Sequence, residues 1–349
     1  VFERKRQGMI NLINIIEALE EDEGKDNRNY YFKRKKKQYE WLTIQTFLDW
    51  IKSQKIIEYI YGEHSHSEII RKSGELLEKM CKYDLFSKKE IDIIWKVFES
   101  NYHEDSIRAT LEVIEMIVKS CDENMLENIR KRIHKFKKNN FDSTMINFMK
   151  NFINSELENF YSVDQDKKST GFKPIKRMFN FGGNRDPDTV LSKEHIDCIN
   201  RDLELLWKLP FERGIPEKVK QQAAKAIPEI LSNEMCSEKT KDKYIDMAKK
   251  GIKNGDQIYN HLSFIHTLLI NSQQKHGEVR KLNERYDIID IVLNAGESYL
   301  NKVSKLFTEV YDSNNFKYIE RNIQQKEPSL MSGHTHVEHI EKMFEIIQY

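Results

Sequence analysis

Ile91-Asp92-Ile93-Ile94-Trp95-Lys96-Val97 and Leu203-Glu204-Leu205-Leu206-Trp207-Lys208-Leu209 are two versions of one sentence. Both read apolar, acidic, apolar, apolar, Trp, Lys, apolar. The likeness continues past a turn. Trp95 precedes Ile107 by 12 residues, and Trp207 precedes Val219 by 12. Leu111 then corresponds to Ala223, Ile114 to Ala226 and Val118 to Ile230. Each copy is a helix, a turn and a second helix in the same register. A helix pair with one apolar face cannot bury that face alone, so stacked neighbours must supply the core. Units of this kind run ~40–47 residues, which would place about eight in 349 residues.

The rest of the chain carries the same period. Ile91, Ile94, Trp95 and Phe98 recur at i, i+3, i+4 and i+7. Leu126, Ile129, Ile133 and Phe136 form another stripe, and Ile340, Met343, Phe344 and Ile347 a last one. Such spacing places an apolar face on a helix. No strand alternation rises above chance. The spacing predicts helices over 3–21, 41–61, 66–83, 88–100, 104–120, 123–138, 140–159, 192–209, 216–232, 238–252, 256–274, 282–300, 302–312 and 336–348. Ser65-His66-Ser67-Glu68 and Ser87-Lys88-Lys89-Glu90 read as capping boxes, in which Ser accepts an orphan N–H and Glu reaches back. Gly214-Ile215-Pro216 reads as a turn with Pro at the first helical position. Pro228 predicts a kink or break.

Two stretches lack a stripe. Residues 22–37, ending in Lys33-Arg34-Lys35-Lys36-Lys37, read as a loop. Residues 161–190 contain Phe181-Gly182-Gly183-Asn184-Arg185-Asp186-Pro187 and read as a linker. The chain therefore divides into helical halves at 1–160 and 191–349, expected to form one continuous array. The fold class is all-α, an armadillo/HEAT-like α-solenoid: a right-handed superhelix of stacked helix pairs. Trp95, Trp207, Ile94, Leu206, Leu111 and Ile114 should be core.

Composition narrows the function. Gly (13) and Pro (6) are too few for the turns of a β-sandwich or barrel. Lys+Arg (57) nearly cancels Asp+Glu (56), so no global basic field recruits nucleic acid or anionic membrane. Nucleic acid is disfavoured as a partner, although Lys33–Lys37 and Lys131–Lys138 are local basic runs. No apolar run approaches bilayer-spanning length. A mean hydropathy of −0.70 fits a soluble chain. The start at Val1, without an apolar signal segment, suggests a piece of a longer protein.

Candidate chemistry is sparse. His334, His336 and His339 form the densest imidazole cluster, but no Cys or carboxylate completes a metal-ligand spacing. His64-Ser65-His66 belongs with a loop before a cap. Cys81, Cys121, Cys198 and Cys236 lie far apart along the chain and read as free thiols in a reducing compartment. Cys81 and Cys198 fall in helical patterns and should be packed. Asp122 and Glu123 beside Cys121 would raise its pKa, which is the wrong direction for a nucleophile. Phe181–Asn184 lacks the spacing of a phosphate-binding loop. No catalytic, metal or cofactor residue is assigned, and no cofactor is expected.

Phe47-Leu48-Asp49-Trp50-Ile51, Ile69-Ile70-Arg71-Lys72-Ser73, and Leu85 through Trp95 followed by His103-Glu104, resemble a known family. So does Leu203–Trp207 followed by Gly214-Ile215-Pro216. Together they are similar to the amino-terminal helical region of the very large ubiquitin-specific proteases of the fat-facets type. Lys208 stands where that family has Asn. The resemblance spans roughly residues 40–300. It implies that the parent protein is a cysteine-dependent deubiquitinase, a thiol protease, and that this segment is its non-catalytic armadillo-like arm. Protein partners or ubiquitinated substrates follow, in the cytoplasm with the nucleus as a second compartment. The family's cysteine and histidine boxes are absent here, so no catalytic residue carries over. The rival reading is a stand-alone HEAT/armadillo adaptor or transport protein.

Overall fold

The computed structural model describes residues 2–26, 42–62, 65–99, 103–167, 192–254, 258–273 and 278–294, and beyond them 296–297, 301, 343 and 345–346. Every regular element among these residues is helical. The chain falls into two units, Val1–Phe136 and Lys137–Tyr349.

The first unit contains α1 (Phe2–Asp26), α2 (Ile44–Ser53), α3 (Ile56–Ile60), α4 (Ser67–Lys82), α5 (Lys88–Glu99), α6 (Glu104–Val118) and α7 (Glu123–Lys135). α4 and α6 lie side by side and point the same way. At their start Ser106 Oγ donates to the Ser65 carbonyl, at 3.4 Å. Along their length Arg71 pairs with Glu112, at 2.6 Å. At their end Cys81 meets Cys121. The partners are 41, 41 and 40 residues apart. On α5 and α7, Asp92 pairs with Arg132, 40 positions on. The chain thus returns to an equivalent place about every 40 residues, the step that the repeat predicted.

Gly74 sets how closely α4 approaches α6. A Cβ there would lie 2.8 Å from Met116 Sδ. α1 runs parallel to α4, held by Arg6–Glu68 at 2.8 Å near one end and by Glu20 with Lys79 and Lys82 at the other.

The second unit contains α8 (Ser143–Lys167), α9 (Lys193–Lys208), a 3-10 turn (Leu209–Phe211), α10 (Glu217–Leu231), α11 (Glu238–Asn254), α12 (Ile258–Gln273) and α13 (Glu278–Tyr286). Residues 288–294 are again helical. The same step recurs. Tyr244 Oη donates to the Asn200 carbonyl 44 residues back, at 3.1 Å. Arg285 bonds Asp242 and Glu238, 43 and 47 residues back.

Burial supports the self-match. Ile91, Ile94, Trp95 and Val97 are buried, as are Leu203, Leu206, Trp207 and Leu209. Lys96 and Lys208 are both exposed. The copies differ at Ile93, which is half-buried, and Leu205, which is buried. All six residues predicted to be core are buried.

Several local readings change. The helix expected over 41–61 is two helices, because Lys55 takes a left-handed conformation with φ 53°. The α2 cap is Thr43, whose hydroxyl accepts from Thr46 N–H while Thr46 Oγ1 accepts from Thr43 N–H. His66, not Ser65, caps α4: its Nδ1 accepts from Glu68 N–H at 3.3 Å. Ser65 instead donates to the Tyr59 carbonyl. His103 caps α6 in the same way, through Asp105 N–H. The Ser87–Glu90 box forms as expected, with Glu90 accepting from Ser87 N–H at 2.8 Å.

Pro228 does not break α10, which runs on to Leu231. So near the helix end its missing N–H removes only one ladder bond, and Ser232 caps the Pro228 carbonyl with both its N–H and its hydroxyl. Pro216 is the cap residue rather than the first helical one. The expected loops begin late, since α1 extends to Asp26 and α8 to Lys167. The remainder of 22–37 and 161–190, and the helix expected over 302–312, lie outside the described residues.

Gly251 on α11 carries a sharp steric demand: a Cβ there would overlap the imidazole ring of His261 on α12. That ring stacks on Phe211, with centroids 5.0 Å apart, and leans on Trp207. Gly251→Ala is expected to cost about 1–3 kcal/mol through overpacking, despite the roughly 1 kcal/mol that Ala gains over Gly in a helix. Urea unfolding of the variant checks this. Unchanged stability would mean that the imidazole has room to swing away.

Candidate interaction surface

The residues singled out from sequence divide into those that the structure places and those that it does not. His64, the His334–His339 cluster, Lys33–Lys37 and Phe181–Pro187 lie outside the described residues. Of the last helix expected, Met343 and Ile346 are buried and Glu345 reaches His266, at 3.5 Å. In the Lys131–Lys138 run, Ile133 is buried and Lys131, Arg132 and Lys138 pair with Glu127, Asp92 and Glu212. Within α7, Lys131, His134 and Lys135 form a solvated helix face, and Arg132 is half-buried beside Asp92.

The cysteines are less simple than their spacing suggested. None of the four forms a disulfide, and Cys81 and Cys198 are half-buried rather than packed away. Cys198 Sγ accepts from Arg201 at 3.1 Å. Cys236 is buried. Cys81 and Cys121, 40 residues apart in sequence, place their sulfurs 4.0 Å apart. Among the described residues no three His, Cys, Asp or Glu side chains gather as a metal site. No helix among them is long and apolar enough to cross a membrane.

Exposed apolar side chains mark where the first unit could meet another molecule. Trp50 is 46% exposed and Tyr59 63% exposed. Trp50 stacks on Phe47, with centroids 5.7 Å apart, and Lys5 sits 4.5 Å over the Tyr59 ring. Aromatic residues are enriched at protein interfaces. In the sequence, Trp50 stands out only within the Phe47–Ile51 resemblance. A sharper signal was available: Ile44, Phe47, Leu48 and Ile51 make the buried stripe of α2, and Trp50 falls off it.

Two carboxylates tie the first unit together. Burial alone would push the Glu20 carboxyl up, but hydrogen bonds and charge from Lys79 and Lys82 outweigh it and hold the carboxyl below its usual range. Glu90 behaves alike: burial opposes ionisation, while Ser87 donors and Lys52, 3.3 Å away, lower its pKa. A carboxyl depressed in the folded state contributes stability above its unfolded pKa and loses it as pH falls through the folded value. Glu20→Gln and Glu90→Gln should therefore destabilise at neutral pH, and the deficit should shrink on acidification below about pH 4. Urea unfolding across pH reads this. A deficit that is constant down to acid would mean that neither ion pair matters.

The helix pairs, their step of about 40 residues and the match between the two Trp segments invite comparison with known repeat families. The chain from residue 191 to 349 matches the UBP24/USP9X/USP9Y ARM repeat family. Residues 191–349 are similar to the armadillo-repeat region of that family. This segment begins just ahead of α9 and includes Trp207, the turn at Gly214 and every later helix. The resemblance read from Leu203–Trp207 and Gly214–Pro216 thus falls inside the matched region. The fold of the chain is all-α and armadillo-like. No curated protein matches the chain.

Proposed function

We propose that this chain is a non-catalytic scaffold arm of a large cysteine-dependent ubiquitin-specific protease, working in the cytoplasm and holding protein partners or ubiquitinated substrates. The observation that carries the reading is the match of residues 191–349 to the ARM repeats of UBP24, USP9X and USP9Y. The physical setting agrees. Repeats stacked at a regular step offer an extended surface on which few side chains are committed to chemistry. The exposed Trp50 and Tyr59 supply apolar contact area of the kind that partners bury.

The isolated chain is expected to leave a ubiquitin–fluorophore conjugate intact. Turnover that disappears when one of the four cysteines is replaced would overturn the non-catalytic role. The parent is tested separately. An antibody to this chain should recover from the source cell a product far heavier than 41.7 kDa that reacts with a ubiquitin probe bearing a C-terminal electrophile. A product near that mass, inert to the probe, would replace the proposal with a free-standing adaptor.

A further inference from the structure

Cys81 lies in the last turn of α4, and Cys121 follows the end of α6 directly before the Asp122 cap of α7. Because α4 and α6 are parallel, their carboxyl ends come together, and Gly74 lets the two helices approach closely. The two sulfurs are 4.0 Å apart and both residues are half-buried, within reach of a small oxidant. A disulfide needs about 2.05 Å, so the sulfurs have to close by ~2 Å. Side-chain rotation at two helix ends can supply much of that.

We propose that Cys81 and Cys121 form an oxidation-sensitive dithiol that closes to a disulfide and pins α4 to α6, the matching helices of two successive repeat units. With a peroxide as oxidant, one thiolate attacks the O–O bond. It becomes a sulfenic acid and releases hydroxide, which takes up a proton as water. The second sulfur attacks the sulfenic sulfur, the S–S bond forms, and the hydroxyl leaves as a second water. Two thiols and one hydrogen peroxide give one disulfide and two waters. The reaction belongs to this pair, whose sulfurs already face each other at 4.0 Å. The hydrogen bond between the thiols, then burial, then the charges of Cys121, Glu78 and Asp122 push the Cys81 thiol up. The thiolate is the reactive form, so closure is slow at neutral pH and quickens as pH rises.

The pair also has a structural consequence. The bond would close a loop of about 40 residues, which restricts the unfolded chain and raises the unfolding temperature of the oxidised form. An oxidising episode would therefore stiffen the first unit, and a thiol reductant would release it.

The test uses the whole 349-residue chain, folded and fully reduced, then exposed to hydrogen peroxide and quenched with N-ethylmaleimide. Digestion without reductant should yield a peptide that joins Cys81 to Cys121, formed at least about tenfold faster than any link to Cys198 or Cys236, since held neighbours react as if highly concentrated. The oxidised chain should melt higher than the reduced one, and dithiothreitol should reverse this. Cys81→Ser should abolish the link and leave Cys121 as a sulfenic acid that dimedone traps. If the joined peptide is absent, forms only in urea, or is matched by links to Cys198 or Cys236, the proposal fails. The wild-type digest decides this even if the variant does not fold.

Discussion

Replacing Trp207 by alanine is expected to remove about 3–5 kcal/mol of stability from the unit Lys137–Tyr349. The indole is 8% exposed. Its ring centroid lies 5.2 Å from Phe264, edge to face, and 5.4, 5.7 and 5.8 Å from Tyr244, His261 and Phe211. These partners come from α11, α12 and the 3-10 turn, so one side chain from α9 bridges three other elements. Each aromatic pair adds about 0.5–1.5 kcal/mol beyond burial. No collapse of the backbone can refill the hole without moving several helices, so the cavity cost is retained. Urea unfolding followed by far-UV circular dichroism measures the loss. A cost below about 1 kcal/mol would mean that the cluster repacks around the missing ring.

Trp95→Ala should cost the unit Val1–Phe136 an amount in the same range of about 3–5 kcal/mol, nearer its lower end. The side chain is 4% exposed, so the transfer term is as large as for Trp207. Its aromatic surroundings are thinner among the described residues. Phe98 stands 4.9 Å away, and Phe98 in turn meets Phe136 on the carboxyl side of α7. The two variants together separate burial from aromatic contact. If Trp95→Ala proves the more costly, ring packing does not set the difference. A change under about 0.5 kcal/mol would mean that Trp95 is not core.

The paired Trp segments were readable because helical periodicity is a property of neighbouring residues. Ile91, Ile94 and Trp95 share a face whatever they pack against, and Leu203, Leu206 and Trp207 do so again. Local capping was legible where one residue type dominates, as at Ser87–Glu90. It failed where two candidates compete. Ser65 looked like the better cap, yet the imidazole of His66 sits one residue closer to the α4 amides. The left-handed Lys55 that divides α2 from α3 had no glycine to announce it, so an unbroken stripe hid the break. Pro228 did not bring the break that its type allows: a strong breaker in isolation is mild in the last turn of a helix already held by Ile227, Ile230 and Leu231 in the core.

Sequence by itself determined the helical class, the repeated helix pair, the apolar faces and that part of the resemblance which lies within the match over residues 191–349. Each depends on residue types a few positions apart, or on order along the chain. Tertiary structure alone decided which of those faces meet. It brought Cys81 to Cys121 and Asp92 to Arg132, set His261 over Gly251, and left Trp50 and Tyr59 facing solvent. The reason is one of scale. A helical turn is completed within four residues by the backbone's own hydrogen bonds. The distance between residues 40 apart is set only when neighbouring helix pairs stack and bury their stripes against each other.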